Sequence, residues 1–184
     1  MDTPWTTLLL LALLLAAVTT DLRSRRIPNA LVLTGTTLAL AAHTLTLGLG
    51  REPLAGPSWW APLAGLATGL LVLMPLYLMR ALGAGDVKLM AMVGAFVGTP
   101  TVLAAALYTL IAGGLLSLAV MLGTGVARRT LDNLRFLCSE WTAWALRMRS
   151  GQDAFLAPLQ TTAARLPYAL AISAGSVVAL MRAH

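Results

Sequence analysis

Asp21 and Asp86 are the two residues of this chain whose type and setting suit chemistry. The sequence holds seven acidic residues. Asp2 and Glu52 fall in short polar segments on one side of the apolar runs, and Asp132, Glu140 and Asp153 fall in a long polar segment among arginines that can pair with them. Only Asp21 and Asp86 adjoin long apolar runs on the other side. An ionisable group at the edge of such a run is costly to keep and by default marks function. Two carboxylates brought close together cannot both ionise cheaply, so they share a proton. One can then act as general base on a water molecule, the other as general acid toward a peptide carbonyl and its leaving amine. Such a pair titrates as a unit, which leaves the two roles unassigned between the residues.

Each aspartate also has a plainer explanation. Asp21 could be a helix-end charge balanced by Arg23, Arg25 or Arg26. Asp86 sits in Gly83-Ala84-Gly85-Asp86-Val87-Lys88, where the glycines allow a small open turn that presents a carboxylate, but glycines also build ordinary turns between helices. Lys88 is placed either to pair with Asp86 or to belong to a basic flank. Other hydrolytic chemistries lack their residues. Cys138 is the single cysteine, so neither an internal disulfide nor a cysteine-based zinc site is available. His43 lies within an apolar run, where it reads as a packed residue, and His184 ends the chain. No Gly-x-Ser-x-Gly or His-Glu-x-x-His pattern occurs. The two aspartates and a distant His43 are too few donors for a metal, so no metal and no cofactor are expected.

The elements that position these residues follow from composition. The chain has 184 residues, 58% of them apolar and only 11% charged, against roughly 45–50% and about 25% in soluble domains. That places it in the membrane class, as a single integral-membrane domain over residues 1–184. Stretches without Asp, Glu, Lys or Arg run over 3–20, 27–50, 53–79, 89–127 and 166–181. A bilayer core of about 30 Å needs about 20 mostly apolar residues as helix. The first three stretches supply spans near Trp5–Thr20, Ala30–Gly48 and Trp60–Met79. Gly98-Thr99-Pro100-Thr101 divides the fourth into Val87–Val97 and Val102–Val126, and the last gives Pro167–Met181. The expected fold is therefore an all-α membrane bundle of six helices. The opening Met1–Trp5 lacks Lys and Arg and no small-x-small site precedes Asp21, so the first span is expected to be retained rather than removed as a signal peptide.

Charge sets the orientation. The net charge of +6 would suit nucleic acid, but the basic residues lie between apolar runs. With six spans, only Arg51 and Arg182 of the 13 basic residues fall on one side, and the rest, with both aspartates, on the other. Basic residues favour the cytoplasmic side, so both termini are expected outside, with no nucleic-acid partner. Within the long segment 128–165, Leu134, Leu137, Trp141, Trp144 and Met148 recur at spacings of three and four, with Arg128, Asp132, Arg135, Glu140 and Arg147 opposite. This pattern suits an amphipathic helix in the cytoplasmic interface of the lipid bilayer.

At the two aspartates the sequence resembles a family. Asp21-Leu22-Arg23-Ser24-Arg25-Arg26-Ile27-Pro28-Asn29 after the first span is similar to the first motif of the type IV prepilin peptidases, and Gly83 to Lys88 to their second, Gly-x-Gly-Asp-x-Lys. Leu166 to Ile172, with Gly175, resembles the final helix of the short members. The resemblance implies a membrane aspartic peptidase of the bacterial inner membrane. Its substrate would be a prepilin, whose basic leader it would remove on the cytoplasmic side, commonly after a glycine. Asp21 and Asp86 would be the catalytic pair, Gly83, Gly85 and Lys88 would shape the second motif, and Arg26, Pro28 and Asn29 would hold the first. The cysteine-rich insertion of larger, N-methylating members has no counterpart here, so the chain looks like the compact peptidases of Flp/Tad pili or the archaeal preflagellin peptidases. Two other classes stay open on residues alone: a proton-relay or transport protein using the same carboxylates, and an assembly scaffold in which they merely pair with arginines.

Overall fold

Helices whose apolar residues run all the way round must be surrounded either by protein or by lipid. The computed structural model describes residues 4–79, 81–124 and 168–183, and the amphipathic helix expected within 128–165 lies outside them. Among the described residues there are five helices and no strand: α1 Pro4–Ser24, α2 Asn29–Gly48, α3 Ala61–Leu78, α4 Ala84–Thr124 and α5 Tyr168–Ala183. Four of them, α1 to α4, are long and apolar enough to cross a membrane. The chain is a helical membrane bundle.

The central element is the first half of α4, in which every residue from Leu89 to Gly98 is buried. The bundle surface carries exposed leucines such as Leu8, Leu15, Leu33, Leu71 and Leu107, the kind of outer face that lipid solvates. The threonines of α2 are compatible with this setting because their hydroxyls bond back to their own helix: Thr34 to Ala30, Thr36 to Val32 and Thr46 to Ala42, at 2.8, 2.8 and 2.6 Å.

Helix α4 is interrupted at the division expected from its sequence. Gly98 has φ 74° and ψ 177°, and Pro100 follows. This left-handed conformation is open to glycine and strained for other residues, and a β-carbon there would also run into the backbone of Ala55. The chain turns back at this point. Tyr168 touches Gly113 and lies within electrostatic reach of Asp86, although the residues between Asp86 and Gly113 would span about 40 Å as straight helix.

Small residues let the backbones come close, as is usual where lipid gives helices no hydrophobic reason to associate. Gly65 of α3 faces the carbonyl of Gly94 in α4, and Gly69 faces that of Met90. Gly35 of α2 packs on Met92 of α4 and Leu13 of α1. The pairings 65 with 94 and 69 with 90 run antiparallel, whereas 29 with 88 and 35 with 92 make α2 parallel to the first half of α4. Gly65→Ala would drive a methyl group into backbone that cannot give way. We expect it to lower stability by about 1–3 kcal/mol, measured by thermal unfolding in detergent. Gly48→Ala, with open space around it, should be neutral or slightly stabilising in the same measurement.

Candidate active site

Asp21 belongs to the last turn of α1 and is buried, at 8% exposure. Its helix ends at Ser24 because Arg25 takes a left-handed conformation, φ 51°, while its N–H still reaches the Asp21 carbonyl at 2.8 Å. This is the usual way a helix closes on its last carbonyls, here with arginine in the place glycine prefers. The Ser24 hydroxyl ties the corner by donating to the carbonyls of Thr20 (2.7 Å) and Arg26 (3.2 Å). The carboxylate turns inward, and its Oδ2 accepts the backbone N–H of Ala169 in the first turn of α5 at 3.2 Å. Arg23, Arg25 and Arg26 are exposed. The explanation of Asp21 as a charge balanced by its own arginines is therefore not the arrangement found.

Asp86 does not sit in an open turn. Helix α4 begins at Ala84, so Asp86 is the third residue of its first turn. Its Oδ2 accepts the N–H of Gly83, the residue before the helix, at 3.1 Å. An acidic residue at this position that reaches back to the N-cap N–H satisfies a donor the helix leaves free. The side chain is half-buried. Asp21 lies close enough for its charge to act on Asp86, so the two aspartates do come to one end of the bundle. Each is held by a backbone N–H at the start of a helix, where the helix dipole favours negative charge.

Of the other motif residues only Gly83 bonds a carboxylate, and two contacts join one motif to the other. Lys88 donates from Nζ to Asn29 Oδ1 at 2.9 Å, so it pairs with Asn29 and not with Asp86. Gly85 packs against Ile27, where a β-carbon would stand 3.3 Å from Ile27 Cβ. Pro28, with φ −63° and ψ 133°, is the N-cap of α2, and its carbonyl accepts the N–H groups of Leu31 and Val32 at 3.1 and 3.4 Å. Arg26 contributes its backbone carbonyl to the Ser24 hydroxyl. Gly83 supplies the N–H that Asp86 takes up. The Lys88–Asn29 bond and the packing of Gly85 on Ile27 fasten the α1–α2 corner to the start of α4.

His43 is packed, as expected: it is 4% exposed and its Nε2 lies 3.0 Å from the Ser58 carbonyl, away from the aspartates. Among the described residues no group of His, Cys, Asp and Glu could hold a metal. Ile27 and the Ala169 N–H are not among the residues the sequence singles out for the site, although both residues stand inside the motif stretches named above. A backbone donor has no signal of its own in sequence. Gly85→Val should cost about 1–3 kcal/mol by overpacking, and Ile27→Ala in the same chain should recover part of that loss in thermal unfolding. Equal losses in the single and double variants would mean that these residues do not meet.

A family model described as the type IV leader peptidase family matches residues 8–118. No curated protein and no solved structure matches the chain. The matched residues take in the ends of α1 and α4 that carry Asp21 and Asp86, and the α1–α2 corner between them. The chain belongs to the type IV leader peptidase family.

Proposed function

We propose that the protein is a prepilin leader peptidase of the aspartic type, in which Asp21 and Asp86 together activate a water molecule. The observation that carries this reading is that Asp21 and Asp86, 65 positions apart in sequence, come within electrostatic reach of each other, each on a backbone N–H at a helix start. Family membership supplies the peptidase activity. A carboxylate pair with one shared proton supplies both halves of acid–base hydrolysis. The ionised member takes a proton from water as its oxygen attacks the scissile carbonyl carbon. The protonated member donates to the carbonyl oxygen. When the tetrahedral intermediate collapses, the C–N bond breaks and the proton first taken from water passes to the leaving amine. One hydroxyl of the intermediate returns its proton to the other carboxylate, restoring the pair with one shared proton. The roles belong to the pair rather than to either residue.

The substrate is a prepilin, a protein with a basic leader ahead of an apolar helix, cut where leader and helix meet. Arg23, Arg25, Arg26 and Lys88, all exposed, lie within five residues of Asp21 or Asp86 in sequence. Basic residues mark the cytoplasmic face, so cleavage takes place there, in the inner membrane of a bacterium. With α4 counted twice about Gly98, α5 included and both termini outside, the chain crosses six times as one domain over 1–184. Its single cysteine and short α1–α2 corner fit a compact Flp/Tad-like peptidase without N-methylation.

Asp21→Asn and Asp86→Asn are the informative variants, because an amide oxygen can still accept the N–H of Ala169 or Gly83 and only ionisation is lost. Each should lower cleavage of a co-expressed prepilin by at least about 10²-fold, read on a gel as retention of the leader, with membrane insertion unchanged. Processing at the normal rate by either variant would exclude the pair as the catalytic centre.

A further inference from the structure

The start of α5 touches the candidate active site but lies beyond residues 8–118, the stretch matched by the family model. The Ala169 N–H that holds Asp21 is one of the donors a helix leaves free in its first turn. Ala169 is 0% exposed, so water cannot substitute for this contact. Whether the N–H reaches the carboxylate depends on where α5 stands along its own axis. Two contacts with the second half of α4 set that position. Gly175 lies against the backbone of Thr109 and Ala105. Nearer the site, the ring of Tyr168 lies on Gly113, where a β-carbon would stand 2.7 Å from Cε2 and 2.8 Å from the hydroxyl oxygen. Tyr168 immediately precedes Ala169, so the residue seated on Gly113 and the N–H that holds Asp21 are joined by one peptide bond.

Gly113 carries a cost that calls for a reason, since glycine inside a helix is about 0.5–1 kcal/mol worse than alanine. Around its neighbour Gly114, a β-carbon would meet nothing within 4 Å, so that glycine has no comparable packing reason. We propose that Tyr168 and Gly113 are positioning residues of the peptidase: the tyrosine ring, seated on the bare backbone of Gly113, fixes the first turn of α5 so that the Ala169 N–H holds the Asp21 carboxylate in place. The proposal rests on the reading of Asp21 and Asp86 as the catalytic pair. Tyr168 is also within electrostatic reach of Asp86.

The test uses the full chain in detergent and a synthetic prepilin peptide made of a Lys/Arg leader, a glycine and the first turns of an apolar helix. Tyr168→Ala should lower kcat by about tenfold or more, with KM within about threefold of the parent, because the loss is in alignment rather than in substrate binding. Tyr168→Phe keeps the ring and should stay within about threefold of the parent kcat. Gly113→Ala, which pushes the ring away, should lower kcat by about tenfold, whereas Gly114→Ala should leave it unchanged. In the double variant Gly113→Ala/Tyr168→Ala the added methyl no longer meets a ring, so kcat should match that of Tyr168→Ala alone.

Parent-like kcat in both Tyr168→Ala and Gly113→Ala overturns the proposal. So does an equal loss in Gly114→Ala, which would trace the effect to the helix itself, or an equal loss in Tyr168→Phe, which would trace it to the hydroxyl. A raised KM at unchanged kcat would make Tyr168 a substrate contact and overturns it as well. Should Tyr168→Ala fail to fold, Gly113→Ala compared with Gly114→Ala still decides. The two readings fail separately: an active Asp21→Asn removes the catalytic pair, whereas an inactive Asp21→Asn with unaffected Tyr168→Ala and Gly113→Ala removes only the role of α5.

Discussion

Two backbone N–H groups, those of Ala169 and Gly83, each take up a carboxylate oxygen, and much of the architecture follows from them. A carboxylate buried among helices, as Asp21 is, is shielded from water, so the protein must supply its donors. A helix start is the cheapest source, because its first N–H groups have no partner within the helix and its dipole favours negative charge. Using two such starts fixes the topology. Helix α1 has to end where α4 and α5 both begin. The chain between them must therefore return to that end, and α4 reverses on the way. Gly98, at φ 74°, is where it does so.

The second constraint is that both carboxylates come from helices and not from loops. Their spacing is then set by how closely the helices pack, and in lipid that depends on shape more than on hydrophobicity. Gly65 and Gly69 bring α3 onto the backbone of α4, while Gly35 admits Met92 between α2 and α1. Near the site, Gly85 against Ile27 and Lys88 bonded to Asn29 tie the corner after α1 to the start of α4. Neither contact touches a carboxyl group. Their effect is on the distance between the two helix ends, which suits a site whose geometry has to be held to a fraction of an ångström.

The sequence makes the helical elements legible, and the exceptions have physical causes. Apolar runs bounded by charges mark α1 to α4, and Gly98 with Pro100 marks the interruption, because both signals are local. Asp86 is expected in an open turn since Gly-Ala-Gly reads as loop. The helix instead starts at Ala84, where an acid at the third position and a free N–H at Gly83 stabilise the first turn together. Asp86 is thus partly a capping residue, a role its own neighbours encode. The partners of Lys88 and Asp21 are not legible in this way. Lys88 meets Asn29 and Asp21 meets Ala169 across long stretches of chain, and the second contact uses a backbone donor that any residue but proline would offer.

The position of the pair along the bundle is the last consequence. Hydrolysis needs water and an extended peptide, and the centre of a bilayer provides neither: exposed backbone there has no partner for its N–H and C=O groups. At the end of the bundle both are available. On the proposed function, a leader has to give up helical hydrogen bonds only at the membrane edge, where water can replace them. The half-buried Asp86 and the buried Asp21 differ in the same sense. Asp86 stands toward the edge from which water arrives, and Asp21 stands inward against α5. On the proposed function, the more exposed Asp86 is the carboxyl nearer to arriving water. Both are held in register by backbone N–H groups, which gives the reactant access without loosening the geometry of its attack.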